Sequence, residues 1–331
     1  MKAIIMNKPG DPDVLEVRQM KNPVIAHPHD VLVRLKAAGV NPIDTKLRSN
    51  GTYSGEQQDT ILGCDGAGVI EAVGQSVSRF KPGDDVYYCH GGIGFSPGNY
   101  AEFAVVPEWV LAKKPASLDF PEAAAAPLVL ITAWESLFDR ARIHAGQKVF
   151  VHAGAGSVGH VAIQLARIAG CEVAISVSSD EKAAFARKLG ADITINYREK
   201  DVTEALLDWS GGKGVDAAFD TVGDDAFKQL IPAVRVYGDL VTILQVPEDT
   251  DWQTIRLRNI RISQELMLTP MVMSLQDAAR HQADILKRCA GYIDDGRLTV
   301  HVSRRLPLEQ AADAHRLIES GGMTGKVVLE I

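Results

Sequence analysis

Short apolar runs separated by glycine and proline dominate the first third of the chain. In DVLVRLKAAGVN, the residues Val31, Val33 and Leu35 alternate with polar or small neighbours, which is the period of a half-buried β-strand. The runs VLEVRQM, GAGVIEAVG and DDVYYC have a similar character, and turn-forming segments such as KPGDPD and GGIGFSPGN lie between them. This pattern predicts a small β-barrel or sandwich over residues 1–120.

The pattern changes near residue 120. The segment DFPEAAAAPLVLITAWESLFDRA predicts a helix, and Asp119 and Pro121 mark its start. From there, apolar strands alternate with segments of helical period: KVFVHA, SVGHVAIQLARIA, EVAISVS, DEKAAFARKLG, DITINY, DVTEALLDWS, VDAAFDTVG, DDAFKQLIPAV and GDLVTILQ. Such alternation predicts βαβ units and a parallel sheet over residues 121–269. From about residue 270 the chain predicts a long helix, a strand, a helix and a final strand, GKVVLEI.

Composition narrows the functional classes. The chain has 331 residues, 23% of them charged, and a net charge of −7, so it lacks the basic surface expected of a general nucleic-acid binder. The N-terminus has no apolar segment typical of a signal peptide, and no run approaches the roughly 20 apolar residues of a membrane span. We therefore expect a reduced, cytoplasmic protein without disulfides, because its cysteines are far apart: Cys64, Cys89, Cys171 and Cys289.

A glycine-rich turn follows the first strand of the alternating region. Its six residues form a GxGxxG pattern between an apolar strand and a helix: Gly154, Ala155, Gly156, Ser157, Val158 and Gly159. In this context the pattern predicts dinucleotide binding. We expect Gly154 to permit the tight turn, Gly156 to let backbone N–H groups reach the pyrophosphate, and Gly159 to let helix and strand pack closely. The alternative is an ordinary turn without a ligand.

The end of the next strand indicates which nucleotide is bound. Nucleotide folds that prefer NAD usually place an acidic residue there, about 20 residues after the glycines, to hold the ribose hydroxyls. This chain has Ser178 instead, and Asp180 occupies the expected N-cap position of the next helix. Lys182 and Tyr197 follow, so a hydroxyl, an ammonium and a phenol suit a 2′-phosphate and favour NADP(H). Alternatively, Lys182 is merely solvated and Tyr197 partly buried.

Several spaced motifs resemble those of one family. Gly63-Cys-Asp-x-x-Gly68 resembles the signature of the medium-chain dehydrogenase/reductase superfamily, and AGVNPIDTKLRSNGTY is similar to its zinc-free, zeta-crystallin-like quinone oxidoreductases. ITAWESL, GAGSVG, INYRE and TGKVVL fit in the same order across essentially the whole chain. The resemblance implies an α/β protein with a GroES-like β-barrel catalytic domain over 1–120, completed by 270–331, and a Rossmann doubly wound NADP(H)-binding domain over 121–269. It also implies a homodimer, possibly a tetramer, joined at an edge strand within RNIRISQELML.

The same resemblance bears on metal binding. Catalytic zinc in this superfamily needs three protein ligands and an open fourth position. The matching positions here are Asn41, Cys64, and Leu128 or a neighbour in PLVLIT, of which Cys64 alone is a good zinc ligand. We therefore predict no metal site; Cys64 is either a thiol of the cleft or an inert, buried one.

Without a metal, the feasible reaction is hydride transfer from NADPH to a quinone or an α,β-unsaturated carbonyl compound. Asn41 could donate its amide N–H to the developing oxyanion, and Tyr53 could donate a hydrogen bond or a proton. Asp44 could orient its neighbours, Thr132 matches a family threonine near the nicotinamide amide, and Leu244 would narrow the space beside the nicotinamide. Alternatively, Tyr53 is a packed loop aromatic and Asp44 a turn or cap residue.

Two other functions stay open. One is an alcohol or aldehyde dehydrogenase of the same superfamily with an unusual metal site. The other is a non-enzymatic NADPH-binding protein with a structural or RNA-binding role, although the acidic charge disfavours RNA. The preferred interpretation is an enzyme with a small-molecule substrate and neither nucleic-acid nor membrane partners.

Overall fold

The computed structural model describes residues 1–55 and 59–331. The chain forms two compact units, one of Met1–Leu128 with Leu268–Ile331 and the other of Val129–Met267. The sequence predicted the two boundaries between these units near residues 120 and 270.

The elements are numbered along the chain. The strands are β1 (Lys2–Met6), β2 (Leu15–Gln19), β3 (Asp30–Val40), β4 (Asp65–Val73), β5 (Asp85–Cys89), β6 (Phe103–Pro107), β7 (Ala112–Lys113), β8 (Lys148–Val151), β9 (Glu172–Val177), β10 (Ile193–Asn196), β11 (Val215–Asp220), β12 (Val234–Thr242), β13 (Arg261–Gln264), β14 (Val302–Pro307) and β15 (Lys326–Glu330). The helices are α1 (Pro42–Asn50), α2 (Phe120–Ala124), α3 (Pro127–Trp134), α4 (Gly159–Ile168), α5 (Asp180–Lys188), α6 (Val202–Trp209), α7 (Asp224–Ala233), α8 (Trp252–Leu257), α9 (Thr269–Val272), α10 (Gln276–Asp294) and α11 (Ala311–Glu319).

The first unit is built on a largely antiparallel sheet. Its strand order is β14-β15-β3-β4-β5-β7, and β6 also pairs with β3, while β1 and β2 pair separately. The predicted alternation along β3 is confirmed, because Val31, Val33 and Leu35 are all buried. They pack in an apolar core with Ile70, Val86 and Tyr88. Strand β15 pairs antiparallel with β3, so a strand from residues 326–330 joins the sheet formed by the strands of the first 113 residues.

The second unit is a parallel sheet with the order β10-β9-β8-β11-β12-β13. This is the order of a doubly wound Rossmann sheet, in which the direction of winding reverses between β8 and β11. The predicted strands and helices of the alternating region are confirmed. The segment RNIRISQELML was predicted to contain an edge strand, and β13, which lies within it, is at the edge of the sheet. Association through that edge stays a prediction.

Local chemistry adjusts three predicted boundaries. The alanine-rich segment forms two helices, α2 and α3, because Pro127 disfavours helical backbone in the residue before it. Asp119 caps α2 as predicted, since its side chain accepts from the backbone N–H of Glu122. The N-cap of α5 is Ser179 rather than Asp180, because the Ser179 hydroxyl accepts from the N–H of Lys182. Strand β12 begins at Val234, before the predicted GDLVTILQ.

None of the helices within residues 1–55 and 59–331 combines the length and the apolar character needed to cross a lipid bilayer.

The residue before Cys64 is held between two loops. Gly63 has φ of +96°, and a Cβ there would lie 2.4 Å from the Tyr100 ring. The Asn99 side chain donates to the carbonyls of Gly63, Cys64 and His90, which ties the start of β4 to the 90–99 loop. Glycine at position 63 is therefore required both by its backbone conformation and by the aromatic ring against it.

We expect Gly63→Ala to lower the free energy of unfolding by at least about 3 kcal/mol, because it adds a clash to a strained backbone. Gly83→Ala is the matched control, since Gly83 has φ of +90° but nothing within 4 Å of an added Cβ. That variant should lose only about 1–2 kcal/mol. Urea unfolding of both variants measures the difference, and equal losses would contradict the role of Tyr100.

Candidate functional site

Two buried polar residues meet where β3 ends and β4 begins. Asn41 follows β3 and precedes α1, and Asp65 is the first residue of β4; both side chains are fully buried. The Asn41 Nδ2 donates to Asp65 Oδ2 at 3.0 Å. The other carboxylate oxygen accepts from the backbone N–H of Leu128 at 2.8 Å, in the first turn of α3. Asp65 thus joins Asn41 to the N-terminus of a helix, where a negative charge is favoured.

A buried lysine completes this group. Lys326, the first residue of β15, donates from Nζ to Asn41 Oδ1 and to the Val40 carbonyl, and its Nζ lies 3.9 Å from Asp65 Oδ2. Burial lowers the pKa of Lys326 and raises that of Asp65, while the opposite charge of each partner counters the shift. Sequence reasoning missed Lys326 as a site residue; the available signal was a lysine at the start of the apolar strand KVVL.

Asp44 lies in the same cluster, in the first turn of α1. Its carboxylate accepts from the Asn41 backbone N–H at 2.8 Å and from the Tyr100 hydroxyl at 3.1 Å, so it serves as a helix-capping group. The Tyr100 oxygen is also 3.2 Å from His315 Nε2. Burial raises the pKa of Asp44 to about 6, although the hydrogen bond from Asn41 opposes the shift. Asp44 thus holds the backbone of Asn41.

The residues at the three positions that match the superfamily's zinc ligands do not fit a zinc ion. Asn41 binds Asp65 and Lys326, and Leu128 offers no side-chain donor atom. A hydrogen bond with Cys89 lowers the pKa of Cys64, but burial and the nearby carboxylates outweigh it and raise the pKa to about 11, which favours the neutral thiol. Within the described part of the chain, no three His, Cys, Asp or Glu side chains are arranged to hold a metal.

Tyr53 and Thr132 have different environments. Tyr53 follows α1, is 45% exposed, and its backbone N–H donates to the Ile93 carbonyl at 3.0 Å. Partial burial and the nearby Cys64 raise the pKa of its hydroxyl. Thr132 is buried in α3, in the second unit.

The predicted glycine-rich turn lies between β8 and α4. The left-handed residue of the turn is Ala153, with φ of +48°, so Gly154 is needed for a different reason from the one expected. A Cβ on Gly154 would lie 2.6 Å from Ile175 Cβ, on the neighbouring strand. Gly159 has the predicted packing role, because a Cβ there would lie 2.4 Å from the Ala153 carbonyl oxygen. The turn leads into α4, and the first N–H groups of a helix have no partners within it.

A second buried carboxylate lies where the sheet order reverses. Asp220 ends β11, and its oxygens lie 2.9 Å from His152 Nδ1 and 2.7 Å from the Thr242 hydroxyl. It also accepts from the backbone N–H groups of Val222 and Gly223. Burial alone would raise the pKa of Asp220, but the hydrogen bonds from His152 and Gly223 lower it below its usual range. Sequence reasoning missed this group, although His152 lies only two residues before Gly154, the first glycine of the turn.

Of the three residues predicted for the ribose phosphate, Ser178 and Tyr197 follow the successive strands β9 and β10, and Lys182 lies in the first turn of α5. Lys182 Nζ donates to Ser178 Oγ at 3.2 Å, just after β9. Tyr197 follows β10, is 53% exposed, and lines a cavity of about 420 Å³ together with His152, Ala153 and Ser176. The cavity therefore opens at the carboxyl ends of β8, β9 and β10, where doubly wound sheets bind nucleotides.

Leu244 lies just beyond β12 and approaches the turn after β11. A Cβ on Gly223 would lie 2.8 Å from Leu244 Cδ1, so the leucine fills the space next to that turn. The Leu244 backbone N–H donates to the Thr242 hydroxyl at 3.1 Å, which links it to the Asp220 group.

Known proteins resemble the chain along its length. Residues 27–116 match the family model of the alcohol dehydrogenase GroES-like domain, and residues 189–329 match that of a zinc-binding dehydrogenase. A quinone oxidoreductase of Pseudomonas aeruginosa is 34% identical over 97% of this chain and 96% of its own. A zinc-type alcohol dehydrogenase-like protein of Staphylococcus epidermidis is 30% identical over 93% of each chain. The crystal structure of Escherichia coli quinone oxidoreductase complexed with NADPH has a TM-score of 0.87 and 27% identity, covering 100% of both chains. These matches confirm the predicted fold class.

The raised pKa of Asp44 predicts how stability depends on pH. The unfolded carboxyl titrates near pH 4 and the folded one near 6, so between these values the folded chain binds the extra proton. The stabilisation is present at low pH and is lost as the pH rises through 6. The free energy of unfolding of the wild type minus that of Asp44→Asn should therefore fall by up to about 3 kcal/mol from pH 4 to 7.5. Urea titrations measure this, with the exposed Asp85→Asn as the charge control; a flat difference would refute the assignment.

Proposed function

The chain belongs to the medium-chain dehydrogenase/reductase superfamily, in its quinone oxidoreductase group, and on this basis we propose an NADPH-dependent reductase of quinones or α,β-unsaturated carbonyl compounds that uses no catalytic metal. The observation that carries the proposal is the group formed by Asn41, Asp65 and Lys326. These side chains satisfy one another around Asn41, the residue at the position of the superfamily's first zinc ligand. An electron-poor acceptor suits such a site, because it needs hydrogen-bond donors rather than a Lewis acid.

The second unit has groups suited to NADPH. The backbone of the 154–159 turn and the N-terminus of α4 would hold the pyrophosphate, and the turn has the close packing that such a cradle needs. Ser178 and Lys182 would bind the 2′-phosphate, with Tyr197 beside the adenosine. The Escherichia coli relative was solved with NADPH. Bound NADPH supplies the hydride.

The chain's own residues would orient the acceptor and stabilise its oxygen. One Nδ2 hydrogen of Asn41 binds Asp65. The amide is fully buried, so the second hydrogen would donate to the acceptor oxygen once the acceptor displaces the side chains that cover it. Tyr53 would add a hydroxyl donor, and Asp44 would keep Asn41 in place through its backbone N–H. Thr132 would contact the nicotinamide amide, and Leu244 would narrow the space beside the nicotinamide.

We expect the purified protein to oxidise NADPH with 1,4-benzoquinone or an enone acceptor, and EDTA dialysis to leave the rate unchanged. Absorbance at the NADPH band measures the rate, and elemental analysis measures bound zinc. Stoichiometric zinc, or loss of turnover on chelation with recovery on added zinc, would instead support a metal-dependent alcohol dehydrogenase.

Lys182→Met should lower the preference for NADPH over NADH, as a ratio of kcat/KM values, by about 10- to 100-fold, because it removes one charge-assisted hydrogen bond. Lys188→Met, in the last turn of the same helix, is the matched control for loss of a lysine. Comparable rates with NADH in the wild type, or equal effects of both variants, would refute the roles of Ser178 and Lys182.

A further inference from the structure

The Asn41 side chain is held at both ends by opposite charges. Its Nδ2 donates to the Asp65 carboxylate and its Oδ1 accepts from the Lys326 ammonium. A flipped amide would turn its oxygen toward the carboxylate and its N–H groups toward the ammonium, so one orientation is strongly favoured. All three residues are buried, which strengthens both interactions.

This group also connects the positions that match zinc ligands. Asp65 binds the side chain of Asn41 and the backbone N–H of Leu128, which are two of the three such positions. Lys326 binds the first of them directly. A fixed ammonium therefore lies within hydrogen-bond distance of the residue that replaces the first metal ligand.

The two charges of the pair are not compensated equally. The Asp65 carboxylate faces Lys326, the Asn41 amide and an N–H at the N-terminus of α3, where the helix dipole favours negative charge. The Lys326 ammonium has the two oxygens of Asn41 and Val40 and a more distant carboxylate oxygen. Asp44, which accepts from the Asn41 backbone N–H, adds a second carboxylate to the cluster. The opposite charges of Asp65 and Lys326 therefore fix the orientation of the amide rather than surround it with net positive charge.

We propose that Lys326 and Asp65 are positioning residues for the reduction: by binding the two ends of the Asn41 amide, they fix it with one N–H directed to the acceptor oxygen. This inference rests on the proposed function. It assigns no proton transfer or covalent step to either residue. Its consequence is that the charge of Lys326 acts on kcat through Asn41, without contact with the acceptor.

The test is the paired variant Asp65→Asn with Lys326→Met, which removes both charges of the pair together, so that neither is left without the other. Asp44 remains, and its carboxylate keeps the hydrogen bonds from the Asn41 backbone and the Tyr100 hydroxyl. The new amide can still accept from Asn41 Nδ2. We expect this variant to fold and to bind NADPH as the wild type does in a fluorescence titration. Its kcat for benzoquinone should fall by about 10- to 100-fold, with a smaller change in KM.

Two further variants separate positioning from stability. Tyr87→Phe removes a buried hydrogen bond to the Leu286 carbonyl in the same unit and should leave kcat unchanged. If the methionine-containing variant does not fold, Lys326→Gln with Asp65→Asn replaces it, because glutamine keeps a donor for Asn41 Oδ1 without the charge. That variant should show the same loss of kcat.

A second readout does not depend on turnover. With NADP⁺ present, para-nitrophenol is the probe, since its phenolate is coloured and resembles the developing oxyanion. The wild type should favour bound phenolate over phenol at pH 7, and the paired variant should show a smaller phenolate fraction by absorbance.

The outcomes are distinguishable. A folded paired variant with wild-type kcat and wild-type phenolate absorbance would overturn the positioning role. If the wild type reduced no quinone or enone, the proposed function would fail, while the para-nitrophenol difference between wild type and variant would still decide the role of Lys326.

Discussion

The hydrogen bonds of the buried Asp65 carboxylate hold together the part of the first unit around Asn41. The carboxylate binds Asn41 after β3, the backbone of Leu128 at the start of α3, and faces Lys326 at the start of β15. A buried carboxylate is costly unless each oxygen finds a donor. That requirement brings together segments from the beginning, the middle and the end of the chain, and it places a polar cluster where the superfamily otherwise places metal ligands.

The second unit uses a similar device at the reversal of its sheet. Asp220 is fully buried at the end of β11 and binds the side chains of His152 and Thr242 and the backbone of the following turn. In each unit, then, one carboxylate at a strand end organises the loops around it. Loops at strand ends are otherwise free to vary, so such a shared partner gives them a defined geometry.

Local patterns predicted much of this arrangement. Apolar periodicity located β3, the βαβ units and the terminal strand, and the GxGxxG turn was recognisable because its context lies within one short segment. Ser178 and Lys182, which the sequence predicts for the 2′-phosphate, are also close along the chain, only four residues apart. The division of the alanine-rich helix at Pro127 and the N-cap at Ser179 were misjudged, because competing neighbouring residues could each have ended or begun the helix.

The sequence by itself determined the alternating architecture, the glycine-rich turn between β8 and α4 and the lack of zinc donors at Asn41 and Leu128, because each depends on residue type at a short or family-defined spacing. Only the tertiary structure decided what replaces those donors. Lys326 and Asp65 are separated by most of the chain, and antiparallel pairing of β15 with β3, and of β3 with β4, brings them to the same strand ends. Likewise, His152 meets Asp220 only because β8 and β11 are neighbours in the sheet. Pairing between distant strands leaves no local signal, so the partners of a buried charge emerge only with the fold.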